Sequence, residues 1–97
     1  MNLTIKESTM PKKFNSIAKV IRQAREVAGI SQVELSKQIG YENGQFISNV
    51  ERGLCSVPAA KVVKLTEILN ISSKSITDAM TEDFQANLHQ VVNHGKR

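Results

Sequence analysis

Three short polar side chains, Gln45, Ser48 and Asn49, stand at helical spacing in the segment Asn43–Gly53. Two amides and a hydroxyl offer directional hydrogen bonds and no charge. The opposite face of the same segment carries Ile47 and Val50 on an i,i+3 stripe, so burying that stripe turns the amides toward solvent. A side-chain amide pairs bidentately with the amino and ring-nitrogen edge of adenine, and base pairs in a major groove display such edges. Gln45 is therefore the leading candidate to read a base, Asn49 the second, with Ser48 and Gly44 beside them. Gly44 would let the backbone approach closely and reads no base itself. Phe46 has two readings, contact with a thymine methyl or packing on the preceding turn, of which packing is slightly favoured. Basic groups flank the segment. Arg22, Arg52 and Lys61, with Lys37 and the pair Lys12-Lys13, are candidate phosphate contacts.

Catalysis finds no comparable support. The two histidines, His89 and His94, fall late in the chain, and the single cysteine, Cys55, has no sequence-local partner. A metal site needs clustered Cys, His or carboxylates, so no metal, no cofactor and no enzymatic activity are expected. One cysteine cannot form an internal disulfide, which suits a reducing cytoplasm. Phe14, Tyr41, Phe46 and Phe84 are all the aromatic residues, too few for a stacking platform for single strands. No apolar run approaches the ~20 residues that cross a bilayer, and Met1-Asn-Leu-Thr-Ile-Lys-Glu lacks the apolar core of a signal peptide. A soluble intracellular protein is expected.

Charge is divided unevenly. Residues 1–64 hold ten Lys/Arg against five Asp/Glu, and residues 65–97 hold three against four, which together give the formal +4. A basic portion followed by a slightly acidic one suits a polyanion-facing unit with a second role beyond it. Ninety-seven residues form one small domain with little room for a deep pocket.

The elements that must hold the polar face are legible from start and stop signals. Residues 1–12 read as an arm, since Ser8-Thr9-Met10-Pro11 breaks a helix. A first helix is expected from Phe14 to Ala28, with Ile17, Val20, Ile21, Ala24, Val27 and Ala28 on its apolar side and Gly29 as terminator. Ser31 and Glu34 stand at capping-box spacing, opening a second helix that places Leu35 and Ile39 on one face and ends at Gly40. Asn43 can cap a third helix. Pro58 suits the first position of a fourth, whose inner face is Val62, Leu65, Ile68 and Leu69, closed by Asn70 with Ile71 tucking back. From Ser72-Ser73 onward, Ile76, Met80, Phe84, Leu88 and Val91-Val92 recur at intervals of four, with Ala79 filling the stripe.

Arg25, Ser31-Gln32, Glu34-Leu35, Gly40, Ile47-Ser48 and Glu51-Arg52-Gly53, in this order and spacing, resemble the helix-turn-helix of the phage Cro and lambda-type repressor family. The resemblance covers Ile17 to Ile71. It implies an all-α fold, a compact four- to five-helix DNA-binding domain, here followed by a C-terminal amphipathic helix. It further implies that Arg25 and Glu51 form a partly buried salt bridge. Gln32 would contact a phosphate while bracing Gln45. The chain departs from the family at one point: Gly40 to Ile47 is one residue longer than usual, so the turn Tyr41-Glu42-Asn43 carries an extra residue.

The expected organisation is an arm (1–12), a helix-turn-helix domain (13–71) and a helical extension (72–97). Ile76, Met80, Phe84, Leu88 and Val91 would form a dimer or partner interface, because apolar surface left in water costs about 25 cal/mol per Å2. The expected function is a sequence-specific regulator of transcription, a repressor binding double-stranded DNA as a homodimer on a palindromic operator. The alternatives are an antitoxin that autoregulates its operon and grips a toxin through the tail, or a protein-interaction adaptor on the same fold.

Overall fold

A computed structural model describes residues 13–95, with side chains through residue 90. The expected arm 1–12, Lys12 within it, and the side chain of Val91 lie outside the described residues. Five helices follow one another, α1 (Asn15–Ala28), α2 (Gln32–Gln38), α3 (Gln45–Glu51), α4 (Ala59–Leu69) and α5 (Ser73–Gly95), with no strand among the described residues.

Each helix starts and stops for a local reason. Gly29 adopts the left-handed conformation at φ 73, and its N–H and that of Ile30 return to the carbonyls of Glu26 and Arg25, closing α1. The capping box is present in full: the Glu34 N–H donates to Ser31 Oγ at 3.0 Å and the Ser31 N–H to Glu34 Oε1 at 2.8 Å. Pro58 precedes α4 in an extended conformation, one position earlier than its sequence suggests. Asn70 closes α4 in the left-handed region, a conformation in which asparagine is favoured among non-glycine residues. The Ile71 N–H then donates to the Thr66 carbonyl, which turns the chain into α5.

One core joins all five helices. Ile17 and Ile21 of α1 join Leu35 of α2 with Ile39 just beyond it, Ile47 and Val50 of α3, Val57 of the following loop, Leu65 and Leu69 of α4, and Ile76 and Ala79 of α5. Burying one such aliphatic side chain is worth about 1.5–3 kcal/mol. The apolar side of α1 is shorter than its sequence suggests. Val27 is 89% exposed and Ala28 is also exposed, because the last turn of α1 runs beyond the core.

The C-terminal helix corrects a larger expectation. Ile76 is fully buried inside the chain and so is closed to a partner, while Met80 is half-buried against the same cluster. A true α-helix advances about 100° per residue, so residues at intervals of four drift around it by about 40° each. Ile76, Ala79 and Asp83 form the inward face, while Phe84 and Leu88 have rotated out, 65% and 49% exposed. Asp83 is buried. Its carboxylate accepts the N–H groups of Ser16 at 2.8 Å and Ile17 at 3.0 Å. Phe14, at the start of α1, gives no side-chain cap, so a residue some 67 positions away satisfies the first turn of α1. Glu82 adds a bond to Ser16 Oγ, and Asn87 Nδ2 donates to the Lys13 carbonyl. The core therefore crosses the boundary expected at residue 72.

Candidate nucleic-acid interface

The short α3 is held on one side and open on the other. Ile47 and Val50 are fully buried; Gln45 is exposed, with Ser48 and Asn49 half-exposed beside it. Gln45 Nε2 donates to Asn49 Oδ1 at 2.9 Å, one helical turn along. That bond orders the two amide side chains before any ligand arrives, reducing the entropy lost on contact. It leaves the Gln45 carbonyl oxygen, its second N–H and the Asn49 amino group to pair elsewhere, a set of donors and acceptors suited to base edges.

The helix begins at Gln45, two residues after the cap expected at Asn43. Asn43 still caps, from just outside: its Oδ1 accepts the Gln45 N–H at 3.0 Å. Gly44 occupies the start of α3 and faces α2, not the open side. A Cβ there would lie 2.9 Å from Val33 Cγ2 and 3.3 Å from Val33 Cα. Gly44 thus serves helix–helix approach, which removes it from the reading surface. Phe46 stacks on Tyr41 with ring centroids 4.3 Å apart, so it packs on the turn.

Glu51, at the end of α3, is 3% exposed and gathers the neighbouring helices. Arg25 of α1 donates Nε to Oε2 at 2.6 Å and Nη2 to Oε1 at 3.0 Å, a bidentate pair. Arg25 Nη1 also donates to the Ile30 carbonyl, fixing the link into α2. The hydrogen bond that Arg25 donates to Glu51 raises its pKa, against a smaller opposing effect of burial. Gln32 Nε2 donates to Glu51 Oε1 at 3.0 Å. Gln32 therefore braces Glu51, and its expected partner Gln45 pairs with Asn49 instead. A carboxylate is the stronger acceptor for an amide N–H, and here it stands within reach.

The basic candidates divide into held and open groups. Arg22 Nη2 donates to the Glu51 carbonyl at 3.1 Å, tying it to the C-terminal end of α3 while half of its side chain stays exposed. Lys61 Nζ lies 5.1 Å from the Tyr41 ring centroid, a cation–π arrangement beside the turn. Lys13, Lys37 and Arg52 are exposed. The thiol of Cys55 is pushed up by burial, the opposite of what a nucleophilic cysteine requires. No group of three metal-ligating residues occurs among the described residues, nor any helix long and apolar enough to cross a membrane.

Two residues that hold the helices in place escape a reading of the sequence. Ser36 is fully buried and its Oγ accepts the Ile47 N–H at 3.2 Å. Its position next to Leu35 on a short amphipathic helix was the available signal. Asp83 is the other, seven residues after Ile76 and so on the same helical face.

A family model described as helix-turn-helix matches residues 21–75, more than half of the chain. No curated protein and no solved structure matches.

Proposed function

This chain belongs to the Cro-type helix-turn-helix family of DNA-binding transcriptional regulators, and we propose that it is a repressor acting as a homodimer on a palindromic operator. The observation that carries the reading is the exposed amide pair Gln45–Asn49 on a helix whose other face is fixed by Arg25, Gln32 and Glu51. Two such helices, one from each copy, would enter successive major grooves about 34 Å apart. Arg52, Lys37, Lys61 and the exposed part of Arg22 would meet phosphates on either side, and Gln32 would do so only with the amide oxygen turned away. Repression would follow from occupying a promoter. The reading includes no catalytic step, cofactor or metal, and places the protein in the cytoplasm.

Selection from a pool of random duplexes tests this directly. The expected result is enrichment of one two-fold symmetric sequence, bound far more tightly than the starting pool and released as salt rises. Equal retention of every sequence would remove the regulator reading. The exposed Phe84 and Leu88 favour one second reading, an antitoxin whose tail covers those residues with a different protein. Sedimentation separates the two: a homodimer supports the first, and a monomer that associates only with a co-expressed partner supports the second. An adaptor fits less well, since the open face of α3 shows amides where a protein interface would place apolar or aromatic anchors.

A further inference from the structure

We propose that Ser36 and Asn43 are positioning residues that set the rotational phase of α3, and so decide which of its side chains meet the bases. The inference rests on the base-reading role given above to Gln45 and Asn49. Ser36 holds both ends of the turn between α2 and α3. Its carbonyl accepts the Tyr41 N–H at 3.0 Å, where the turn begins, and its hydroxyl accepts the Ile47 N–H at 3.2 Å, in the first turn of α3. Asn43 Oδ1 takes the Gln45 N–H at 3.0 Å. Two of the unpaired donors that begin any helix are thus engaged by side chains on either side of the turn.

A fully buried serine needs a reason, because a hydroxyl in an apolar setting costs free energy unless it is bonded, and alanine would fill nearly the same space. The reason found here is the α3 N–H. Burial of Ile47 and Val50 alone selects the face of α3 that turns inward, but apolar burial is non-directional and leaves the fine rotation open. Hydrogen bonds weaken steeply as their angle departs from linear, so the pair from Ser36 and Asn43 narrows that rotation. A helix rotates about 100° per residue, so a slip of one residue in the turn would carry Gln45 off the open side. The two contacts hold the start of α3 in the register that leaves Gln45 exposed and Asn49 half-buried.

The test uses the full chain and the duplex selected by the unaltered protein, with a scrambled duplex as reference. If the unaltered protein selects no sequence, the base-reading conclusion fails first, and the phase proposal falls with it. If it does select one, Ser36→Ala and Asn43→Ala should each lower the ratio of selected to scrambled affinity by about tenfold. Affinity for the scrambled duplex and helical content should hold. Asn43→Asp keeps the cap and should restore most of the ratio, a rescue that general weakening of the fold would not produce. An unchanged ratio in both alanine variants overturns the proposal, as does equal loss on both duplexes. Should Ser36→Ala fail to fold, the Asn43→Ala and Asn43→Asp pair, at an exposed position, decides alone.

Discussion

At Glu51 donors from three directions converge: Arg25 and Gln32 on the carboxylate, Arg22 on the carbonyl. Glu51→Ala would leave the Arg25 guanidinium partly buried with its main partner gone. Removing one member of a buried pair typically costs about 3–5 kcal/mol, and urea unfolding should show a loss of that order. The sign of the pH dependence follows from Arg25. Its folded pKa is raised, so its contribution is fully present below the ordinary arginine value and is lost only as pH rises through the folded one. The difference between Glu51→Ala and the unaltered protein should therefore stay flat from about pH 7 to about pH 10. A difference that shrinks steadily across that range would show that a group other than Arg25 dominates. The same geometry separates two roles that the sequence merges: Glu51 orients α3, while Gln45 and Asn49 face outward. Gln45→Ala should lower affinity for the selected duplex about five- to tenfold, leave scrambled duplex nearly untouched and barely alter stability. A uniform loss across sequences would remove its reading role.

Among the elements, α5 is the one whose sequence misleads. Its apolar residues recur at intervals of four, which suggests a single outward stripe ready for a partner, but the helical period leaves only Ile76, Ala79 and Met80 on the inner side. Asp83 completes that face and caps α1 from across the fold. Asp83→Ala should strip two backbone N–H groups of their acceptor and remove a favourable charge from a helix N-terminus, at about 1–3 kcal/mol. Melting should fall by several degrees for a domain of this size, and a shift within error would mean that water replaces the carboxylate. Truncation after Ile71 takes away both the cap and Ile76, so it should yield a largely unfolded chain by circular dichroism; a helical, cooperative truncate would return α5 to the status of an extension. The first four helices were legible because their signals are local: Ser31 with Glu34, Gly29, Asn70, and apolar residues at short spacing. Asn43 and Pro58 are each displaced from their expected position by one or two residues, since capping residues also cap from just outside. What could not be read were bonds between distant segments, Asp83 to α1, Ser36 to α3 and Gln32 to Glu51, whose partners are chosen by tertiary approach.

For the molecule as a whole, the question is how one small basic domain becomes selective among many DNA sites. A single α3 offers two amides and a hydroxyl, and each good base contact discriminates by roughly 1–3 kcal/mol. Doubling the reading surface through the proposed two-fold dimer would multiply that selectivity, and Phe84 and Leu88 are exposed apolar residues on α5 that we propose a second copy covers. Both have turned away from Ile76 and are largely exposed, so replacing them spares the buried core. On the proposed homodimer, a double variant, Phe84→Glu with Leu88→Glu, should keep its helicity and sediment as a monomer, while the unaltered protein is expected to sediment as a dimer. Salt then gives an independent reading. Affinity falls with log salt in proportion to the number of phosphates neutralised, with a slope of about −0.9 per contact. A monomer makes half of the contacts of a dimer, so the slope for the double variant should be about half that of the unaltered protein. A halved slope with monomeric sedimentation would place the dimer contact on α5; a full slope with an intact dimer would move that contact to another face, leaving Phe84 and Leu88 to a different protein.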